Sequence, residues 1–346
     1  MAVTIADVAR HAGVSIKTVS RVINHEPHVN EATRKRVMAS VSKLGYVANL
    51  PARRLASGRS STIGLIFHDA SWHYILDVQR AVLETARKSG YSIILHPCDV
   101  SKQADCKAVL NLVMQRAVDG FIFTPPADNS KELLESLNSS NVPFVRLTPT
   151  DRESPWPYIA ATDFQGAYEM TKYLLSLGHR RIGYILGPAS QKAAHDRFDG
   201  YRAALAEFEI VYDPDLVRQG DDHFQTGVAD SQALLQVSPR PTAIFANNDE
   251  MAAGALFGMY ESGLRVPDDI SIAGFDDISL STQVWPPLTT VRQPIVEIAE
   301  TATRLLINLL EDKKISEFRH IIPTELVVRG STRALEPVEI KIRNSN

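Results

Sequence analysis

Residues 4–24 read TIADVARHAGVSIKTVSRVIN and predict two short helices separated by a tight turn. The Thr4 hydroxyl and the Asp7 carboxylate, three residues apart, form the capping-box pattern that begins a helix. Gly13 suits the left-handed conformation that ends one. Ser15 is a good N-cap for the next helix, in which apolar residues recur at helical spacing.

The second helix is predicted at 16–24 and a third at about 31–44, which together give a helix-turn-helix arrangement. The second helix of this motif enters the major groove of DNA and presents its N-terminal side chains to base edges. Lys17 and Arg21 can donate to guanine and Ile16 can meet a thymine methyl, so we predict base readout by these three. The other residues assigned to the DNA surface of this unit are short and polar, suited mainly to phosphates: Thr4, Ser15, Ser20, Asn24, Asn30 and Thr33.

Charge supports a nucleic-acid partner for this part of the chain. Residues 1–60 contain ten Lys and Arg and three acidic residues, a net charge of +7. The other 286 residues carry 27 basic and 37 acidic residues, a net charge of −10. A basic unit on an acidic body suggests nucleic-acid binding, although a solvated basic surface would give the same count.

Composition excludes several protein classes. The chain has 346 residues, 44% of them hydrophobic, which is ordinary for a folded protein of two to three domains. We expect a cytoplasmic protein, because there is no apolar run long enough for a membrane span or a secretion signal and only two cysteines, Cys98 and Cys106. No P-loop, GxGxxG, GxSxG or HExxH motif occurs, so we expect neither an enzyme nor a cofactor or metal site.

Beyond residue 60, short apolar runs alternate with amphipathic segments, a pattern typical of parallel sheets covered by helices. Strands are predicted at 62–67, 92–96, 120–124, 144–147, 181–186, 242–246 and 270–274. Helices are predicted at 74–89, 102–117, 130–140, 164–178, 192–209, 225–236, 249–262 and 295–312. The fold class is therefore α/β, with a small all-α helix-turn-helix head and a body of two Rossmann-like halves.

Ligands of open parallel sheets bind beyond the carboxyl ends of the strands. Asn248 and Asp249 follow one predicted strand and Asp276 and Asp277 follow another, while Arg197 comes after a third. A carboxylate, an amide and a guanidinium that converge on a cleft can hold adjacent hydroxyls of a sugar. For Asp249 and Asp277, helix capping or another structural role is the stronger interpretation.

Several ordered motifs resemble the lactose-repressor (LacI/GalR) family of bacterial transcription regulators. They are 4–24 as quoted above, LGYVANLPARRLASGRSSTIGLI (44–66), LGHRRIGYILGP (177–188), DRFDGYRAAL (196–205), FANNDEMAAGAL (245–256), PDDISIAGFDD (267–277) and PPLTTVRQP (286–294). The resemblance spans almost the whole chain and implies a body like periplasmic sugar-binding proteins.

The resemblance also implies a domain organisation. A helix-turn-helix domain would occupy 1–48, a hinge helix or linker 49–60, and an effector-binding and dimerisation domain 61–333, followed by a tail at 334–346. The N-subdomain would take about 61–161 and 290–321, and the C-subdomain about 162–289 and 322–333. The tail has no leucine heptad repeat, which favours a dimer over a tetramer.

In the family, the hinge helix forms on operator DNA and inserts a leucine into the minor groove. That leucine corresponds to Leu55 and its small neighbour to Ala52. An apolar wedge of this kind unstacks a base step and bends the duplex. Pro51 stands where the family commonly has Val, and Leu55 could instead be a linker residue packed on the body.

The family's effector site implies hydroxyl-binding roles for Arg197, Asn248 and Asp276, and a further polar contact at Gln293. Four aromatic side chains are expected to face the same cleft from loops or strand ends: Trp72, Tyr74, Phe224 and Trp285. Each of them could instead be a core or interface residue. Tyr74 is the best placed of them. The stretch WHYI (72–75) departs from the family's Asn-Pro-Phe-Phe, and Thr148-Pro149 replaces a common Asp-Arg pair, so no familiar ligand can be transferred.

These observations predict a DNA-binding transcriptional repressor of sugar catabolism genes. It would bind a pseudo-palindromic operator as a homodimer and be released by a carbohydrate effector in the cleft. A purine or another metabolite acting as corepressor is the alternative, and a cytoplasmic sugar-binding protein without a DNA role is a third possibility. The sequence does not decide between induction and corepression.

Overall fold

The computed structural model describes residues 3–23, 29–46, 59–68 and 72–335. Its contacts divide the chain into two compact units, residues 1–60 and 61–346. We call the first unit the head and the second the body.

The head consists of three helices, Ile5–Ala12, Ile16–Ile23 and Glu31–Leu44. Thr4 and Asp7 form the predicted capping box, and Gly13 ends the first helix with φ 64°. The helices bury a small apolar core whose members are Val8, Ala9, Ala12, Val19, Val22 and Val37. The caps and the apolar spacing are local features, so they specify where these helices begin and end and which face of each helix is buried.

The strands and helices of the body alternate along most of its length. The strands are β1 (Thr62–Phe67), β2 (Ser92–Pro97), β3 (Gly120–Phe123), β4 (Phe144–Leu147), β5 (Tyr158–Ala161), β6 (Ile182–Leu186), β7 (Val217–Gln219), β8 (Ala243–Ala246), β9 (Ser271–Ala273), β10 (Thr290–Arg292), β11 (Arg319–Ile322) and β12 (Glu325–Val327). The helices are Trp72–Lys88, Gln103–Met114, Lys131–Ser139, Asp163–Ser176, Lys192–Glu207, Phe224–Leu234, Asp249–Glu261, Leu280–Gln283 and Ile295–Leu310.

Two parallel sheets organise these elements. The first has the order β11-β5-β4-β3-β1-β2 and the second the order β7-β6-β8-β9. β10 and β12 form a separate antiparallel pair, with Thr290 opposite Val327. The predicted fold class, with parallel sheets in both halves and a helical head, is confirmed.

Each sheet has its own apolar core. In the first, Ile63 and Leu65 of β1 pack with side chains of the helices Trp72–Lys88 and Ile295–Leu310. In the second, Tyr184 and Phe245 pack under the helices Asp163–Ser176 and Lys192–Glu207. The late helix Ile295–Leu310 thus covers the early sheet, as the predicted crossing between halves requires.

The chain crosses between the two sheets three times, after β5, after β10 and after β11. Thr162 at the first crossing hydrogen-bonds to Thr324 at the third, with 3.0 Å between the hydroxyl oxygens. Val291 of β10 packs in the core of the second sheet, so the second crossing follows β10. The predicted domain boundaries stay predictions.

Several short elements were absent from the sequence prediction. They are β5, β7, β10, β11, β12 and the helix Leu280–Gln283, each of three or four residues. Trp72 and Phe224, expected in loops or strand ends, are the first residues of the helices Trp72–Lys88 and Phe224–Leu234. A period of hydrophobicity is hard to recognise over three or four residues, although β3, β4, β8 and β9 are equally short and were predicted.

Candidate functional site

A cavity with about 480 Å³ of empty space, part of which is open to solvent, lies in the body, where loops that follow strands of both sheets meet. Its lining residues are Tyr74, Pro125, Thr148, Gln191, Ala193, Arg197, Asp222, Asn248, Asp276 and Gln293. The carboxyl ends of parallel strands are the ordinary place for a ligand in such sheets. Five of the eight residues assigned to the effector are in this lining: Tyr74, Arg197, Asn248, Asp276 and Gln293.

Arg197 is the central cation of the cavity and only 5% of it is exposed. Its guanidinium donates to Asp163 Oδ1 at 3.0 Å and to the carbonyl oxygen of Asn247 at 2.7 Å, and it lies 3.1 Å from Asp276 Oδ1. It also stacks on Phe275, 3.8 Å from the ring centroid. Burial lowers the pKa of Arg197, but the surrounding carboxylates outweigh this effect and raise the pKa above its usual value. Arg197 is therefore a fixed positive charge.

Asp276 faces Arg197 from the loop after β9. Its backbone is held in an unusual conformation, φ 107°, by a hydrogen bond from its N–H to Val291 and another from the Gln293 N–H to its carbonyl. A conformation this rare for a residue with a Cβ is retained where the position of the side chain matters. Burial raises the pKa of the Asp276 carboxyl to about 7, although Arg197 opposes the shift.

Asn248 and Asp222 complete the polar wall. Asn248 Oδ1 accepts the Met251 N–H and caps the helix Asp249–Glu261, while its Nδ2 donates to the Asp222 carbonyl at 3.0 Å. The Asp222 carboxylate accepts from Asn247 Nδ2 at 3.0 Å. Burial raises the pKa of Asp222. Asn248 is therefore a helix cap as well as a lining residue.

Tyr74 and Thr148 line the cavity from the side of the first sheet. Burial raises the pKa of the Tyr74 phenol, which stays neutral. Thr148 has φ 43°, which is rare for a β-branched residue. Thr148, which replaces the Asp of a common Asp-Arg pair, was not predicted to line the cavity, but it does.

Asp249 and Asp277 bind protein groups, which supports the structural alternative for both. Asp249 is fully buried and accepts from the Ile278 N–H and the Thr290 hydroxyl. Asp277 pairs with Arg292 at 2.8 Å and with Arg329 at 2.6 Å.

Three of the aromatic residues assigned to the effector are outside the lining. Trp285 is 88% exposed and Trp72 is 72% exposed. Phe224 packs against Phe257 with 5.9 Å between ring centroids. Tyr74 is the aromatic side chain that the described residues contribute to the cavity.

In the head, Ile16 is 52% exposed and Lys17 and Ser15 are also exposed, at the start of the second helix. Arg21 and Ser20 are half-buried one turn on. Thr33 is half-buried too, and Thr4, Ser15 and Asn30 hydrogen-bond to backbone N–H groups at the starts of the three helices. Asn24, Ala52 and Leu55 lie outside the described residues. The DNA-contact assignments therefore stay predictions.

Comparison with known proteins adds to this geometry. Residues 4–49 match the model for bacterial regulatory proteins of the lacI family, and residues 171–332 match a periplasmic binding protein-like domain. The catabolite control protein A of Priestia megaterium is 35% identical over 96% of this chain and 100% of its own length. This chain belongs to the LacI family. The ribose operon repressor of Halalkalibacterium halodurans is 37% identical over 97% of this chain and 99% of its own length.

The solved structures agree with the family assignment. The lac repressor dimer bound to operator and an anti-inducer is 32% identical, with a TM-score of 0.79 over 96% of this chain and 100% of that one. This LacI-family chain is thus built like a DNA-binding transcriptional regulator, and family members are regulators rather than enzymes. Among the described residues, no helix combines the length and apolarity needed to cross a bilayer.

Proposed function

We propose that this LacI-family protein represses genes of sugar catabolism, binding a pseudo-palindromic operator as a homodimer and releasing it when a carbohydrate fills the cavity. The observation that carries the effector role is the cluster of Arg197, Asp276 and Asn248 on one wall. A guanidinium, a carboxylate and an amide held by neighbouring hydrogen bonds can donate to and accept from adjacent hydroxyls.

A sugar fits this lining better than a purine. A purine needs aromatic faces on which to stack, and Tyr74 is the aromatic side chain in the described lining. The remaining lining is rich in carboxylate, amide and hydroxyl groups. One relative is named for a ribose operon, which agrees with a carbohydrate.

The positions of the lining residues support a switch. Gln293 belongs to the second crossing between the sheets, and its Nε2 lies 3.4 Å from Asp163, the first helical residue after the first crossing. Arg197 binds the same Asp163 oxygen. A ligand that contacts Gln293 and Arg197 therefore acts on the segments about which the two halves would move, and a ligand that prefers one arrangement shifts the equilibrium toward it.

Exposed apolar side chains support a homodimer. Leu76 and Leu83 are exposed on the helix Trp72–Lys88, and Phe257 and Tyr260 on the helix Asp249–Glu261. Large apolar groups close together on a surface are typical of protein interfaces. A two-fold symmetric dimer matches a pseudo-palindromic site, because each head would read one half-site.

In vitro selection of double-stranded DNA by the purified protein tests the DNA-binding function. We expect an inverted repeat, and we expect Arg21→Ala to relax the base preference at one position of each half-site, by about 1–3 kcal/mol. Arg10→Ala is the matched control, since Arg10 pairs with Asp7 at 3.0 Å on the first helix and should leave the base preference unchanged. Recovery of random DNA by the parent protein would contradict the proposal.

A further inference from the structure

The charged groups around the cavity do not balance. Arg197 is bound by Asp163 and Asp276, and Arg152 bridges Asp163 and Asp196 at 3.5 and 3.3 Å. Lys192 also pairs with Asp196. Together with Asp222, this set contains four acids and three cations, which gives a net charge of −1 when all seven groups are ionised.

Asp222 is the acid of this set for which the described residues provide no ion-pair partner. Within the described chain, no Lys, Arg or His lies within ion-pair distance of its carboxylate, and its side-chain partner is the neutral amide of Asn247. It nevertheless lines the cavity and lies partly buried in the loop after β7. A carboxylate placed in a partly dry site without a cation costs stability, and groups of this kind concentrate at binding sites.

An anionic ligand would find no available cation here. Among the described lining residues Arg197 is the one cation, and it is already bound by two carboxylates. A phosphate or carboxylate brought beside Asp222 and Asp276 would add like charge in a partly dehydrated site, where repulsion is less screened than in bulk water. Hydroxyl or ammonium groups would instead donate hydrogen bonds to the same carboxylates.

We propose that Asp222 is a charge filter that selects the effector: of ligands sharing one carbon skeleton, the protonated amine binds most tightly, the neutral polyol less tightly, and the phosphate or acid is excluded. This inference rests on the proposed effector role of the cavity. It deepens that role by naming the charge of the ligand and the residue that selects it.

The first test needs no ligand. Asp222→Asn keeps the shape of the side chain and its capacity to accept from Asn247, and it removes the unbalanced charge. We expect the melting temperature of the empty protein to rise by about 1–3 °C at pH 8. Asp196→Asn is the matched control, because Asp196 pairs with Arg152 and Lys192 and its substitution should lower the melting temperature. A lower melting temperature for Asp222→Asn would overturn the inference.

The second test compares charge on constant skeletons. Glucose, galactose and mannose, each as the parent sugar, the 2-amino sugar and the 6-phosphate, are screened by thermal shift and titrated by calorimetry. For a skeleton that binds, we expect the phosphate to bind at least about tenfold more weakly than the parent sugar, and the amino sugar to bind more tightly. Asp222→Asn should bring the three affinities together. A phosphate that binds as tightly as its parent would overturn the inference.

These outcomes are separable from failure of the proposed function. A sugar phosphate that binds tightly and releases the operator would overturn the charge filter and leave the regulator intact. The cavity could rank ligands by charge while no compound changes operator binding. That result would contradict the proposed function and support the charge filter.

Discussion

Replacing Arg197 by Met should strongly destabilise the body. The substitution keeps much of the apolar stem and removes the guanidinium that lies 3.0 Å from Asp163 and 3.1 Å from Asp276. Asp276 is then buried without its cation, while Asp163 keeps the more distant Arg152 at 3.5 Å. Removal of one partner from a buried ion pair typically costs about 3–5 kcal/mol. At roughly 2–4 °C per kcal/mol, the body should melt about 10 °C lower.

The loss should depend on pH in a defined direction. The pKa of Asp276 is already raised to about 7 with Arg197 present, against about 3.9 in an unfolded chain. Protonation therefore relieves the buried charge below pH 7, and removing Arg197 raises this pKa further. The destabilisation by Arg197→Met should be larger at pH 8 than at pH 6.

Urea unfolding followed by circular dichroism measures the effect, with Arg304→Met as the control. Arg304 pairs with Glu300 at the same 3.0 Å, but on the exposed surface of the same body. An exposed pair contributes at most about 1 kcal/mol. If the two variants lost equal stability, the buried cluster would not be the electrostatic centre inferred here.

Three further outcomes are expected. The empty parent should lose stability as pH rises from 6 to 8, because the pKa of Asp276 is near 7 when folded and lower when unfolded. Asp276→Asn should reduce that loss in thermal melts. Burial also raises the pKa of Asp128 to about 7, but Asp128 is present in both proteins and contributes equally to their pH profiles. Identical pH profiles of parent and variant would argue against Asp276. Val19→Ala, in the fully buried core of the head, should cost about 2 kcal/mol and lower the unfolding transition of the head in calorimetry while leaving that of the body in place. The operator dissociation constant should rise steeply with salt in fluorescence anisotropy, since bound phosphates release counterions; a flat salt dependence would exclude the basic head as the DNA surface.

The head could be predicted almost completely, because its signals are local. Thr4, Asp7 and Gly13 each specify a helix end through contacts within a few residues, and the apolar spacing defines the buried face. The long strands and helices of the body could be predicted for similar reasons.

The cavity could be predicted only in part. Arg197, Asn248, Asp276 and Gln293 are brought together as expected, because each belongs to a motif shared with a known family. Asp222 was missed because it follows β7, whose sequence Val-Arg-Gln has a single apolar residue and does not indicate a strand. Its signal was the pair of acids at 221–222 between a glycine and a helix, which becomes informative only once a strand is known to precede it.

The aromatic assignments had a different weakness. Trp285 and Phe224 were placed in the cleft by analogy, and no spacing in the sequence reports which way a loop side chain faces. The structure exposes the first and packs the second on Phe257. Orientation in loops is set by tertiary contacts that sequence patterns do not record.

The dependence of operator affinity on the occupied cavity is the most direct test of the account. The selected operator is titrated by fluorescence anisotropy without ligand and with the sugar that most stabilises the protein, at saturation, using the parent and Asp276→Ala. We predict that the operator dissociation constant of the parent rises about tenfold or more and that the operator dissociation constant of Asp276→Ala does not change. An unchanged dissociation constant for the parent at saturating ligand would contradict it.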